Sequence, residues 1–140
     1  MSDPPYTREI LRLAASIPYL ERLEDLEGAT ERRSPTCGSR VRVAVELDWA
    51  GRVRIFRQAV EACAYGQATA ALVGGHAVGR SAEEVAAALA ELQAWLGGTG
   101  DLPSSWPGLE ALEPARSRKG RHGAILLPFR ALLAAIEEAR

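Results

Sequence analysis

Two thiols and one imidazole, Cys37, Cys63 and His122, are the side chains here best suited to soft-metal or sulfur chemistry. Cys37 sits in Ser34-Pro35-Thr36-Cys37-Gly38-Ser39, a turn-like stretch in which a cysteine can be exposed. Cys63 stands where an alternating run gives way to an alanine-rich one. That places it at a helix start, where free amides and the backbone dipole favour a thiolate. His122 opens the last apolar segment, and a neutral imidazole is a good ligand for zinc or iron. Each residue also has a plainer reading. Free cysteines are often small buried hydrophobes, and a histidine beside a helix start is often just a surface residue. The residues alone leave both readings open. His76, in Gly74-Gly75-His76-Ala77, reads as a loop histidine between two helices.

The elements that must position these groups can be read from periodicity. Tyr6 to Ile17 has helical spacing, with Pro4-Pro5 before it and Pro18 ending it. Leu23 to Arg33 reads as a short edge strand leading into a loop. Arg40 to Leu47 alternates strictly, with Val41, Val43, Val45 and Leu47 on one face. Asp48-Trp49-Ala50-Gly51 is a turn, and Arg52 to Val60 returns as a second strand with Val53 and Ile55 inward. This hairpin leaves Cys37 and comes back to Cys63, so both thiols are expected at one end of the sheet.

Helical signals follow. Ala64 to Val73 suits a helix that Gly74-Gly75 stops. Ser81 and Glu84 form a capping box for a second helix, with Val85, Leu89, Leu92 and Leu96 along one face. Thr99 to Pro107 is a loop, and Leu109 to Leu112 a single turn. Gly123 to Glu138 is the closing helix, with Pro128 either kinking it or lying in the first turn of its regular part. Alternation first and helices later predict an α+β fold, a small antiparallel sheet covered on one face.

Composition narrows the function. The 140 residues are 47% hydrophobic and 25% charged with net charge −1, as expected of one globular domain over 1–140. Nothing in that balance calls for nucleic acid or an anionic membrane. No apolar run approaches a bilayer span, and the first residues lack a signal core, which predicts a cytoplasmic protein. Two cysteines are too few for a disulfide framework. Arg116-Ser117-Arg118-Lys119-Gly120-Arg121 is a basic run that could dock an acidic partner, or simply be a solvated loop. Trp49, Trp95 and Trp106 read as packing or surface anchors. Glycine-rich phosphate loops, a nucleophile elbow and His-Glu-x-x-His are all absent.

In this order the segments resemble the U-type iron–sulfur cluster scaffolds, the IscU/SufU/NifU N-terminal family. Pro35-Thr36-Cys37-Gly38 is similar to that family's Pro-x-Cys-Gly segment, and Ala62-Cys63-Ala64 to its second cysteine segment. Gly79-Arg80-Ser81-Ala82-Glu83-Glu84 resembles its Gly-Lys-Thr/Ser-x-Glu-Glu helix start. His122-Gly123-Ala124-Ile125-Leu126 resembles its His-Cys-x-x-Leu segment. The likeness spans about residues 5–138. It implies a three-stranded sheet covered by four to five helices. It also implies a transient iron–sulfur cluster, or zinc, held through Cys37, Cys63 and His122. The partners it implies are a cysteine desulfurase that supplies sulfur and acceptor proteins that take the cluster. The implied protein is a scaffold or carrier, not an enzyme.

The chain departs from the family pattern at two places. Ser39 stands where the family has Asp, and Gly123 where it has a third Cys. A cluster usually needs four protein ligands, mostly thiolates. Two protomers pooling Cys37 and Cys63 would supply four thiolates, and Glu61 or Asp48 could complete a mononuclear site. Two other readings stay open. One thiol could accept persulfide sulfur without building a cluster, or the fold could persist as a partner-binding module that docks through residues 116–121.

Overall fold

Two long strands organise the chain. The computed structural model describes residues 6–35 and 38–140. β1 (Thr30–Arg33), β2 (Arg40–Leu47) and β3 (Val53–Glu61) form an antiparallel sheet in the order β1-β2-β3. The helices are α1 (Arg8–Ala14), α2 (Ala64–His76), α3 (Ala82–Leu96) and α4 (His122–Ala139), with 3₁₀ segments at Leu23–Leu26, Leu109–Ala115 and Lys119–Arg121. This is the expected α+β architecture. The edge strand is confined to the last four residues of the stretch read as strand, and Leu23–Leu26 winds into a 3₁₀ turn instead.

Alternation sends Val41 and Val43 inward from β2, opposite Val60 and Gln58 of β3. β3 departs from the simple pattern. A bulge between Glu46 and Leu47 makes Leu47 pair with Val53 and Glu46 with Ile55, so Arg54 is the extra residue. The alternation shifts there. Val53 and Phe56 are buried, and Ile55, expected inward, is 38% exposed. Burying Phe56 contributes roughly 1.5–3 kcal/mol. β3's outer edge is not bare. Leu20 bridges Gln58 in parallel, with Glu21 N donating to Gln58 O and Gln58 N to Tyr19 O. At the hairpin end, Val53 N donates to Arg80 O and Gly79 N to Val53 O.

Charged pairs hold β1 to the outer face. Glu31 accepts from Arg33 Nε (2.6 Å) and Arg42 Nε (2.8 Å). The Arg33 and then the Arg42 hydrogen bonds hold its carboxyl below the usual carboxylate range. Its contribution to stability is therefore complete above that range and is lost as pH falls through the lowered value.

The helix starts follow their caps. Thr7 Oγ1 accepts from Ile10 N and opens α1, which is shorter than the periodicity of 6–17 suggests; Pro4-Pro5 lie outside the described residues. Both halves of the Ser81–Glu84 capping box are present at α3. Pro128 falls inside α4, which continues past it, and being a proline it offers no N–H to the Ala124 carbonyl. Trp106 and Trp95 are buried under Arg80 and Arg116, while Trp49 stands free at the hairpin tip.

The glycine pair at 74–75 does not stop α2, which runs on to His76. Gly74 is there for space. A Cβ on it would lie 2.7 Å from Gln58 Nε2 and 3.2 Å from the Pro18 carbonyl. The Gln58 amide is buried there, donating to Pro18 O and Ala70 O and stapling β3 to α2 and to the chain after α1. Gly75 is exposed with nothing near it. Gly74→Ala should therefore destabilise by about 1–3 kcal/mol, and Gly75→Ala should be neutral or stabilise by up to ~1 kcal/mol. Urea midpoints of the two variants check this, and equal effects would refute the packing role of Gly74.

Candidate metal and sulfur site

One end of the sheet gathers most of the candidate residues. Arg40 is paired with both Arg33 and Glu61, so the β1–β2 turn and the end of β3 share that end. The turn is closed by Ser34 N donating to Ser39 O (2.9 Å) and Gly38 N to Ser34 O (3.3 Å), with Gly38 at φ 71°. Cys37 itself lies outside the described residues. The chain on either side of it reaches this end. Ser39, where the family pattern has a carboxylate, is buried within the turn.

Cys63 is the N-cap of α2, two residues beyond Glu61. Its backbone is extended (φ −67°, ψ 172°), and its side chain makes no capping bond. The residue is half-buried at the rim of the core, at the positive end of a 13-residue helix with no acidic residue in its first turn. The sequence signal was the change of period at this residue.

His122 is the first residue of α4. Its Nε2 lies 3.0 Å from the Ala115 carbonyl and 3.1 Å from the Arg116 carbonyl. Carbonyls only accept, so Nε2 carries the proton and donates. In the neutral ring the lone pair is then on Nδ1. Backbone fixing of one ring nitrogen is the arrangement that orients metal-binding histidines. Sequence spacing carried no sign of this contact.

The first turns of α2 and α4 pack directly together. A Cβ on Gly66 would lie 2.8 Å from Ala62 Cβ, 3.2 Å from Ala124 O and 3.5 Å from Ala124 Cβ. The starts of these helices, with Cys63 on one and His122 on the other, are thus held side by side. Tyr6 stacks edge-on against Tyr65, which brings the start of α1 to the same end.

The other candidates separate. Glu61 is at this end but is exposed and paired with Arg40 at 3.3 Å. The sequence reading missed Arg40, whose Nε is buried without a partner; its register opposite Glu61 is the signal that could have found it. Asp48, named above as a carboxylate that could complete the site, is at the opposite end. Its Oδ1 accepts from Ala50 N and Arg52 N in the hairpin turn. The length of β2 puts it about 25 Å from the β1–β2 turn, at ~3.3 Å per residue. His76 is not a loop residue but the last residue of α2, also at that far end. Among the described residues no three His, Cys, Asp or Glu side chains cluster to hold a metal.

This arrangement has close relatives in solved structures. The NifU-like N-terminal protein from Brucella abortus is 29% identical, with TM-score 0.84, over 95% of this chain and 92% of that one. The likeness supports a place for the chain among the U-type scaffolds, which it resembles in fold and in sequence. A protein from Fervidobacterium islandicum AW-1, described as an iron–sulfur cluster assembly scaffold for the SUF system, shares the fold at 16% identity. Its TM-score is 0.76, over 94% of this chain and 96% of that one. A hypothetical protein of known structure shares it at 20% identity and TM-score 0.71, over 92% and 94%. No protein-family model matches the chain, and no curated protein does. No helix among the described residues is long and apolar enough to cross a membrane.

The Gly66 contact gives a test of the site's scaffold. Gly66→Ala should cost about 1–3 kcal/mol of stability, because the added methyl presses on Ala62 Cβ and on the Ala124 carbonyl of α4. It should also speed modification of Cys63 by a thiol reagent. Stability and thiol reactivity both equal to the parent would mean that the two helix starts are not held by this contact.

Proposed function

We propose that this chain, acting as one domain over 1–140, is a U-type scaffold or carrier that takes iron or a transient iron–sulfur cluster as cargo through Cys37, Cys63 and His122. The observation that supports this most is the pairing of helix starts. Cys63 caps α2, His122 opens α4, and the turn that carries Cys37 is anchored to the same sheet end. Thiolate sulfur and imidazole nitrogen suit iron and zinc. With Nε2 donating to carbonyls, His122 would ligate through Nδ1.

The donor set fits a metal but falls one short of the four groups that usually hold a cluster. Water or the partner that delivers sulfur could fill the fourth position on a single protomer. A second copy could do so by bringing its own Cys37 and Cys63, and four thiolates would then surround one cluster. The partners this reading assigns are a cysteine desulfurase as sulfur source and apo iron–sulfur proteins as acceptors, in the cytoplasm.

Protein purified without oxygen should contain iron and sulfide, with visible absorption, and Cys37→Ser/Cys63→Ser should lose all three. Half an equivalent of cluster per chain would indicate sharing between two copies. Gly123→Cys, which restores the family's third thiol, should raise the iron retained per protomer. Zinc alone, lost in the double variant, would leave a metal site without a cluster. Equal metal content in parent and double variant would falsify the reading. In that case, extra sulfur on one thiol after incubation with a desulfurase and cysteine would make the chain a sulfur acceptor.

A further inference from the structure

Most arginines of the sheet are ion-paired: Arg33 and Arg42 share Glu31, Arg40 pairs with Glu61, Arg54 with Glu46 and Arg57 with Glu21. The 3₁₀ segment before α4 is different. Arg118, Lys119 and Arg121 are exposed, and among the described residues none has an acidic partner within 4.0 Å. The nearest acids in sequence, Glu110 and Glu113, are exposed on the preceding 3₁₀ segment and pair with none of the three. No acidic residue lies in the 3₁₀ turn itself or in the first turn of α4, whose dipole adds to the positive field.

The segment is also firmly built. Arg116 lies 4.7 Å over the Trp95 ring, and its Nε donates to the Trp95 carbonyl. Arg118 N donates to Ala115 O, and Arg121 N to Arg118 O. His122 Nε2 ties the carbonyls of 115 and 116 from the other side. A ridge ordered in advance loses little conformational entropy on binding.

We propose that Arg118, Lys119 and Arg121 form a docking ridge for an acidic segment of a partner protein, which it would seat against the Cys63–His122 end of the fold. The proposal rests on the assembly reading only for what the docked partner would deliver. A protein segment fits better than other anions. Trp95, the ring that Arg116 covers, is buried and offers no face for base stacking. The ridge residues, with Ser117 before them and Gly120 among them, present no apolar group for a bilayer.

The test titrates the isotope-labelled full chain with a short Glu/Asp-rich peptide at low salt, following backbone amide signals. The largest shifts should fall on residues 117–123. Arg118→Glu/Lys119→Glu/Arg121→Glu should weaken binding by about tenfold or more, and raising salt should do the same. Arg12→Glu/Arg130→Glu, which reverses two exposed arginines elsewhere, should have little effect. If the triple reversal fails to fold, the corresponding Gln variants replace it. Equal loss in the control, shifts spread over the whole surface, or tighter binding of a single-stranded DNA of the same charge would each overturn the proposal. Repeating the titration on Cys37→Ser/Cys63→Ser separates the two readings, since peptide binding should persist there even if the metal reading has failed.

Discussion

The fold depends on how closely α2 approaches its neighbours. At its start Gly66 admits the backbone of α4, and near its end Gly74 admits the Gln58 amide and the Pro18 carbonyl. A methyl group at either glycine would be too close to its neighbours, so that one side or the other must shift. Close-packed interiors absorb such changes poorly. The two contacts fix α2 at both ends: against α4 where the candidate ligands stand, and against β3 and the chain after α1 at the other.

The site is a consequence of that placement. Cys63 stands at the N-cap of a helix whose start is wedged against another helix start. His122 is held by carbonyls of the preceding turn, and the basic ridge is built from that same turn. The proposed ligand and the proposed docking charge therefore share one turn. Anything that repositions the 115–122 turn moves both the imidazole and the cations.

Much of this was legible in the sequence because it depends on local periodicity. The β2 alternation, the Ser81–Glu84 box and the change of period at Cys63 are short-range signals, and each corresponds to an observed element. The misreadings share a cause in distant partners. Gly74-Gly75 looks like a stop signal until Gln58 is known to fill the space beside it. Ile55 looks inward until the bulge at Arg54 shifts the alternation. Asp48 and Glu61 look equivalent as carboxylates near a strand end, and only the register separates them by the length of the sheet. The hydrogen bonds of His122 had no sequence signal, since any residue supplies a backbone carbonyl.

The chain segment around Leu20 has an effect on self-association. It occupies the middle of β3's outer edge, Gly79–Arg80 occupies the end near the hairpin, and β1 on the other side is only four residues long. An open strand edge is a template on which another copy can continue a sheet. Here that route is largely closed, so copies of this chain are discouraged from stacking strand to strand into aggregates. A pairing that shares ligands would have to form end to end, through the helix starts, where it can close after two copies instead of growing.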